Sequence, residues 1–120
     1  MQRIRCLSAL GVLVAMLLNG CTSEPPVAVV FRHSSWGESK GAVAIITNTS
    51  DAHLHSCELK IETTTGKTWG PKVFATTLAP HAAVEVGWME LEDVLMNGND
   101  LITIACGDSG DLRVRVPTGS

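Results

Sequence analysis

The alternation of apolar and polar positions along the chain predicts strands in most places and a sustained helix in none. The clearest case is the stretch 53–65, HLHSCELKIETTT, in which His55, Cys57, Leu59, Ile61 and Thr63 fall on one face and Ser56, Glu58, Lys60 and Glu62 on the other. A period of two is what a strand shows when one face is buried and the other wet, so Cys57 points inward. Leu101 to Gly107 (LITIACG) repeats the pattern with Ile102, Ile104 and Cys106 on the apolar side. Both cysteines therefore face a core, where they can meet.

Five further strands follow from the same reasoning. Val27 to His33 (VAVVFRH) precedes a loop, Ser34 to Lys40, that holds Trp36. Gly41 to Asn48 is apolar on both faces, as a strand between two layers is, and Asn48-Thr49-Ser50-Asp51 supplies turn chemistry. Thr65-Gly66-Lys67 closes a hairpin onto Thr68 to Thr76, which Gly70-Pro71 interrupts; proline cannot donate to a ladder, so this strand belongs at an edge. After the turn Leu78-Ala79-Pro80-His81, Ala83 to Met89 sets Val84, Val86 and Trp88 against Glu85 and Gly87. Glu90 to Asn99 has room for one helical turn before Asn97-Gly98-Asn99 breaks it. Leu112 to Pro117, reached through Asp108-Ser109-Gly110-Asp111, turns Leu112, Val114 and Val116 in and Arg113 and Arg115 out. About seven short strands with turns between them make an all-β sandwich.

The start of the chain bears on the compartment. Arg3 and Arg5 form a short basic region, Leu7 to Leu18 is a nearly unbroken apolar run, and Leu18-Asn19-Gly20-Cys21 follows where a cleavage site belongs. These features predict a signal peptide over residues 1–20. The run is shorter than the ~20 residues a spanning helix needs, and no charged stop-transfer segment follows it. Leu18 to Cys21 resembles the lipobox of bacterial lipoproteins, with Leu three before an obligatory Cys. The resemblance implies a diacylglycerol thioether on Cys21, which becomes the first mature residue and anchors the chain in a lipid bilayer. Several acyl chains, at roughly 0.8 kcal/mol per buried methylene, hold a small domain at a membrane where one does not. The alternative is an ordinary secretory signal with an incidental cysteine. Thr22 stands where Gram-negative sorting uses Asp for inner-membrane retention, so the resemblance favours the periplasmic face of the outer membrane.

Residues 21–26 (CTSEPP) read as a tether and residues 27–120 as one domain. Removing Arg3 and Arg5 from the 9 basic residues leaves 7 against 12 acidic ones, a mature net charge of −5. An acidic domain without a basic stripe lacks the phosphate contacts that dominate nucleic-acid affinity. About 100 residues bury only about two-thirds of their unfolded surface, so a staple is useful. With Cys6 cut away and Cys21 acylated, Cys57 and Cys106 remain in an oxidising compartment. A disulfide between them, with Cα atoms about 5.5 Å apart, closes a loop of about 50 residues and contributes about 4 kcal/mol in the chain-entropy model.

Asn48-Thr49-Ser50, Leu54, Leu78-Ala79-Pro80, Glu85-Val86-Gly87-Trp88 and the Gly98 to Ile104 segment together resemble the small immunoglobulin-like domains of exported bacterial lipoproteins, similar to the FxLYD group, although the F-x-L-Y-D signature itself is absent. The resemblance covers about two-thirds of the mature chain. It implies an immunoglobulin-like sandwich that binds or spaces envelope proteins, with no chemistry and no cofactor of its own. Trp88, in phase with Val84 and Val86, is then the core tryptophan packed over the disulfide.

Four constellations suggest chemistry. Gly107-Asp108-Ser109-Gly110-Asp111 resembles the nucleophile loop of chymotrypsin-like proteases, but such enzymes need a chain of roughly twice this length, and the residues suit a hairpin turn. His53, His55 and Cys57 form H-x-H-x-C, and Met89 and Met96 could add thioethers for copper; zinc or copper needs a further ligand, drawn from His33, His81, Met89 or Met96, once Cys57 is oxidised. The bland alternative leaves His53 in a turn and His55 at the rim. Trp36, Trp69 and Trp88 could form a sugar-stacking platform, and Glu85, Glu90, Glu92 and Asp93 an acidic patch, which a solvated surface also explains.

Overall fold

In the computed structural model, residues 23–34, 41–92 and 94–118 are described. The stretch 1–20 expected to be a signal peptide, Cys21 with its expected acylation, Thr22, Trp36 and Asp93 lie outside them. Seven strands form two antiparallel sheets: β1 Val27–His33, β2 Ala42–Asn48, β3 Leu54–Glu62, β4 Thr68–Leu78, β5 Ala83–Val86, β6 Leu101–Cys106 and β7 Leu112–Arg115. The orders are β1-β2-β5 in one sheet and β4-β3-β6-β7 in the other. Lettered A to G, the constant-type immunoglobulin layout sets ABED against CFG. Here the fourth strand has passed to the second sheet, giving ABE against DCFG. The result is an all-β, immunoglobulin-like sandwich.

Alternation determines what enters the core. Leu59 and Ile61 on β3 cluster with Ala44 and Ile46 on β2, Ile102 and Ile104 on β6, Val86 on β5 and Val116 beyond β7, and Cys57 is buried on the same face of β3. Each large side chain fully withdrawn from water contributes about 1.5–3 kcal/mol. β1 turns Val27, Val29 and Phe31 in and leaves Val30 56% exposed, as its period of two dictates.

β4 is an edge strand, as Gly70-Pro71 required, yet the dipeptide does not end it: the strand runs on to Leu78. The register shift against β3 between Leu59 and Ile61 absorbs the irregularity, and a second shift lies further along, between Cys57 and Glu58. Gly70 sits at φ +93°, and a Cβ there would lie 2.8 Å from the Leu59 carbonyl oxygen, so the close approach of the two backbones requires glycine.

β5 is shorter than its alternation suggests. It stops at Val86 because Gly87 opens a helical turn in which Leu91 N–H donates to the Gly87 carbonyl at 3.0 Å. Glu90 Oε1 accepts from Gly87 N–H at 2.7 Å, the reach-back of an N3 glutamate to a cap. The turn drives Leu91 into the core, and Met96 follows it.

The β2–β3, β4–β5 and β6–β7 turns lie at one end of the sandwich, here the near end. Asn48, fully buried, ties two of them together. Its Nδ2 donates to the carbonyls of Ala52 (2.8 Å), Leu78 (3.0 Å) and Ala79 (3.1 Å), while its Oδ1 accepts from Ser50 N–H (2.9 Å) and Ser50 Oγ (2.8 Å). The N-x-S and L-x-P turns, 30 residues apart, are thus one hydrogen-bonded unit.

Ser23 to Pro26, read as part of a tether, are instead docked on this end. Ser23 O accepts from Gly110 N–H at 2.8 Å, Pro25 is buried, and Pro26 O accepts from both Thr49 N–H and Thr49 Oγ1 at 2.9 Å. Two proline residues with preset φ lower the entropy lost in holding this segment to the domain.

Candidate functional site

Cys57 and Cys106 are joined by a disulfide. They stand directly opposite each other on the adjacent strands β3 and β6, with Cα atoms 3.9 Å apart rather than the expected 5.5 Å. The link is therefore within one sheet, unlike the inter-sheet bond of antibody domains. Trp88 does not pack over it. The disulfide is at the near end, whereas Trp88 sits in the turn after β5, at the far end where β1 passes to β2.

That turn builds the concavity of the far end, a depression of about 170 Å³ on the outer side of the three-stranded sheet. Arg32 and Ser34 from β1 and its exit, Val43 from β2, Glu85 from β5 and the turn Gly87 to Glu90 line it. Arg32 Nη2 lies 2.6 Å from Glu85 Oε1, and Arg32 Nη1 donates to the His33 carbonyl at 2.8 Å. The guanidinium is held as a fork over the sheet, and Met89 stands beside it 60% exposed. At this volume the depression is below the range of small-molecule pockets and is about the size of a single side chain.

The other sequence candidates separate. Ser109 Oγ accepts from Cys106 N–H and donates to the Gly110 carbonyl, both at 2.9 Å, so the protease-like pentapeptide is a turn whose hydroxyl is engaged in holding it. The rings of His53 and His55 stack at 6.5 Å between centroids and 17° between planes, and both residues are exposed. Among the described residues no group of three His, Cys, Asp or Glu side chains is placed to hold a metal ion. His33 ends β1 at the far end, and Met96 is buried in the core, so neither reaches the pair. His81 Nε2 lies 2.8 Å from Asp51 Oδ1.

Trp69 packs against the core and does not line the concavity with Trp88, so these two do not form a stacking platform. The carboxylates expected to form an acidic patch are separately engaged: Glu85 with Arg32, Glu90 with the Gly87 amide, and Glu92 with Lys72 Nζ at 2.6 Å. Sequence reasoning missed the concavity because Arg32 and Glu85 lie 53 residues apart. The G-x-x-E spacing of Gly87 and Glu90 was the one local signal for its rim.

Comparison with family models, with curated proteins and with solved structures finds no match to this chain.

Proposed function

We propose that this chain is a bacterial lipoprotein, held through acylated Cys21 at the periplasmic face of the outer membrane, whose sandwich serves as a non-catalytic binding or scaffold module for an envelope protein. The observation that carries the reading is Leu18-Asn19-Gly20-Cys21 closing an apolar run behind Arg3 and Arg5. The Cys57–Cys106 disulfide supports it, since such bonds persist in exported proteins and are rare in the cytosol. The far-end concavity supports the binding role: an arginine, an exposed methionine and a tryptophan, three residue types enriched at protein interfaces, line it together.

A second reading, a small copper- or zinc-binding lipoprotein, is favoured by the stacked His53 and His55 rings. It requires a further ligand from outside the pair, because structural metal sites close with four.

Photo-crosslinking in intact cells tests the binding role. A benzophenone side chain in place of Met89 is expected to capture a discrete envelope protein, whereas the same group in place of Lys60, on the outer face of the other sheet, captures none. No protein adduct from Met89, or equal adducts from both positions, would contradict it.

A further inference from the structure

The near end carries an orientation. Ser23 is fixed to Gly110 by a 2.8 Å backbone hydrogen bond, and Pro26 is fixed to Thr49 by two more. Only Thr22 separates Ser23 from Cys21. Two peptide steps span at most about 7 Å, so an acylated Cys21 cannot stand further than that from the docked Ser23. We infer that the turns at 49–53, 79–82 and 107–111 lie against the lipid headgroups, and that the Arg32–Glu85 concavity faces away from the bilayer. The inference rests on the lipid-anchor reading proposed above.

The seven residues of β2 set the separation of the two ends at about 20 Å. A long tether would let the domain tumble above the membrane, and its docked residues leave too little free chain for that. The three turns contain no Lys or Arg, while Asp51, Asp108 and Asp111 are exposed among them. Anionic headgroups attract basic side chains, so this end has no electrostatic affinity of its own for such a surface. The thioether supplies the contact, and the fold directs it. The C-terminal strand runs the other way: Val116 is bonded to Asn99 and Asp100 at the far end. A partner engaging the concavity would thus meet it well clear of the headgroups.

The test uses the full-length protein purified from membranes and reconstituted into vesicles of phosphatidylethanolamine and phosphatidylglycerol that carry a headgroup spin-label quencher. A fluorescent amino acid replaces either Asp108 or Met89, both exposed. Quenching is expected to be several-fold stronger at position 108 than at 89, and not weakened by salt, which screens only repulsion between these aspartates and the anionic headgroups. Inserting a flexible Gly-Ser segment after Thr22 should reduce it at 108 towards the value at 89. The intact mass distinguishes the two levels of the account. An unmodified Cys21 overturns both the anchor and the orientation; an acylated protein quenched equally at both positions, or more at 89, overturns the orientation alone.

Discussion

The two ends of the sandwich are held by different physics. At the near end the constraints are directional: five hydrogen bonds converge on the Asn48 amide, backbone bonds fix Ser23 and Pro26, and a disulfide joins β3 to β6. At the far end the connection between β5 and β6 buries two apolar plugs, Leu91 and Met96, both 1% exposed, and local bonds such as Leu91 N–H to the Gly87 carbonyl and Ala42 N–H to the Met96 carbonyl hold the backbone around them. Hydrogen bonds and covalent links specify position, whereas apolar burial is non-directional and tolerates some movement. The chain is therefore rigidly placed where it leaves the domain. The concavity, with Met89 exposed over it, lies at the other end.

The largest expected effect is at the near end. Replacing Cys57 and Cys106 together by Ala should lower unfolding stability by about 4 kcal/mol, because a loop with a sequence separation of 49 is no longer closed in the unfolded chain. Urea denaturation of the double variant measures it. A loss below about 1 kcal/mol would mean that the hydrogen-bonded ladder alone holds β3 to β6.

Asn48→Ala comes next, at about 3 kcal/mol, since it leaves three buried or half-buried carbonyls without their donor. Its signature is spatial. Amide exchange should accelerate at Ser50, Thr49 and Ala82 and leave Leu91 and Ala42 unchanged; uniform acceleration would deny that the near end is a separate unit. Met96→Ala should cost about 2–3 kcal/mol through the cavity it opens. Exchange should then rise at Ala42, whose amide donates to the Met96 carbonyl at 2.9 Å, and not at Gly110.

Much of this architecture was legible in the sequence, and the failures are instructive. The bounds of β1, the inward faces of β6 and β7 and of β3 from Cys57 onward, and the edge position of β4 all follow from period and from proline, whereas His55, expected on the face of Cys57, is exposed because Ser56 at φ +51° breaks the alternation. These are local properties that each strand carries in its own residues. Trp88 was misplaced because its alternation with Val84 and Val86 persists in the sequence after the backbone has turned at Gly87, where the Glu90 cap overrides it. Asn48 was readable as a turn residue. That its amide would be buried under Leu78 and Ala79 depends on the crossing between sheets, which no local pattern encodes. The docked Ser23–Pro26 segment reads as tether by composition, since its partners Thr49 and Gly110 lie far along the chain.

The smallest expected effect concerns the two histidines at the near end. Titrating the oxidised protein with Cu(II) and Zn(II) by calorimetry should show binding no tighter than about micromolar, as two imidazoles supply only half of a tetrahedral set. Nanomolar binding lost in both His53→Ala and His55→Ala would make the metal reading the leading one.

The most direct test of the account is acylation itself. Cells expressing the wild-type chain or Cys21→Ser are fed labelled palmitate and fractionated. The wild type should carry the label and sediment with the outer membrane, while the variant should be unlabelled and absent from the membrane fraction. A wild-type protein that is exported, unlabelled and soluble would contradict the account at its base.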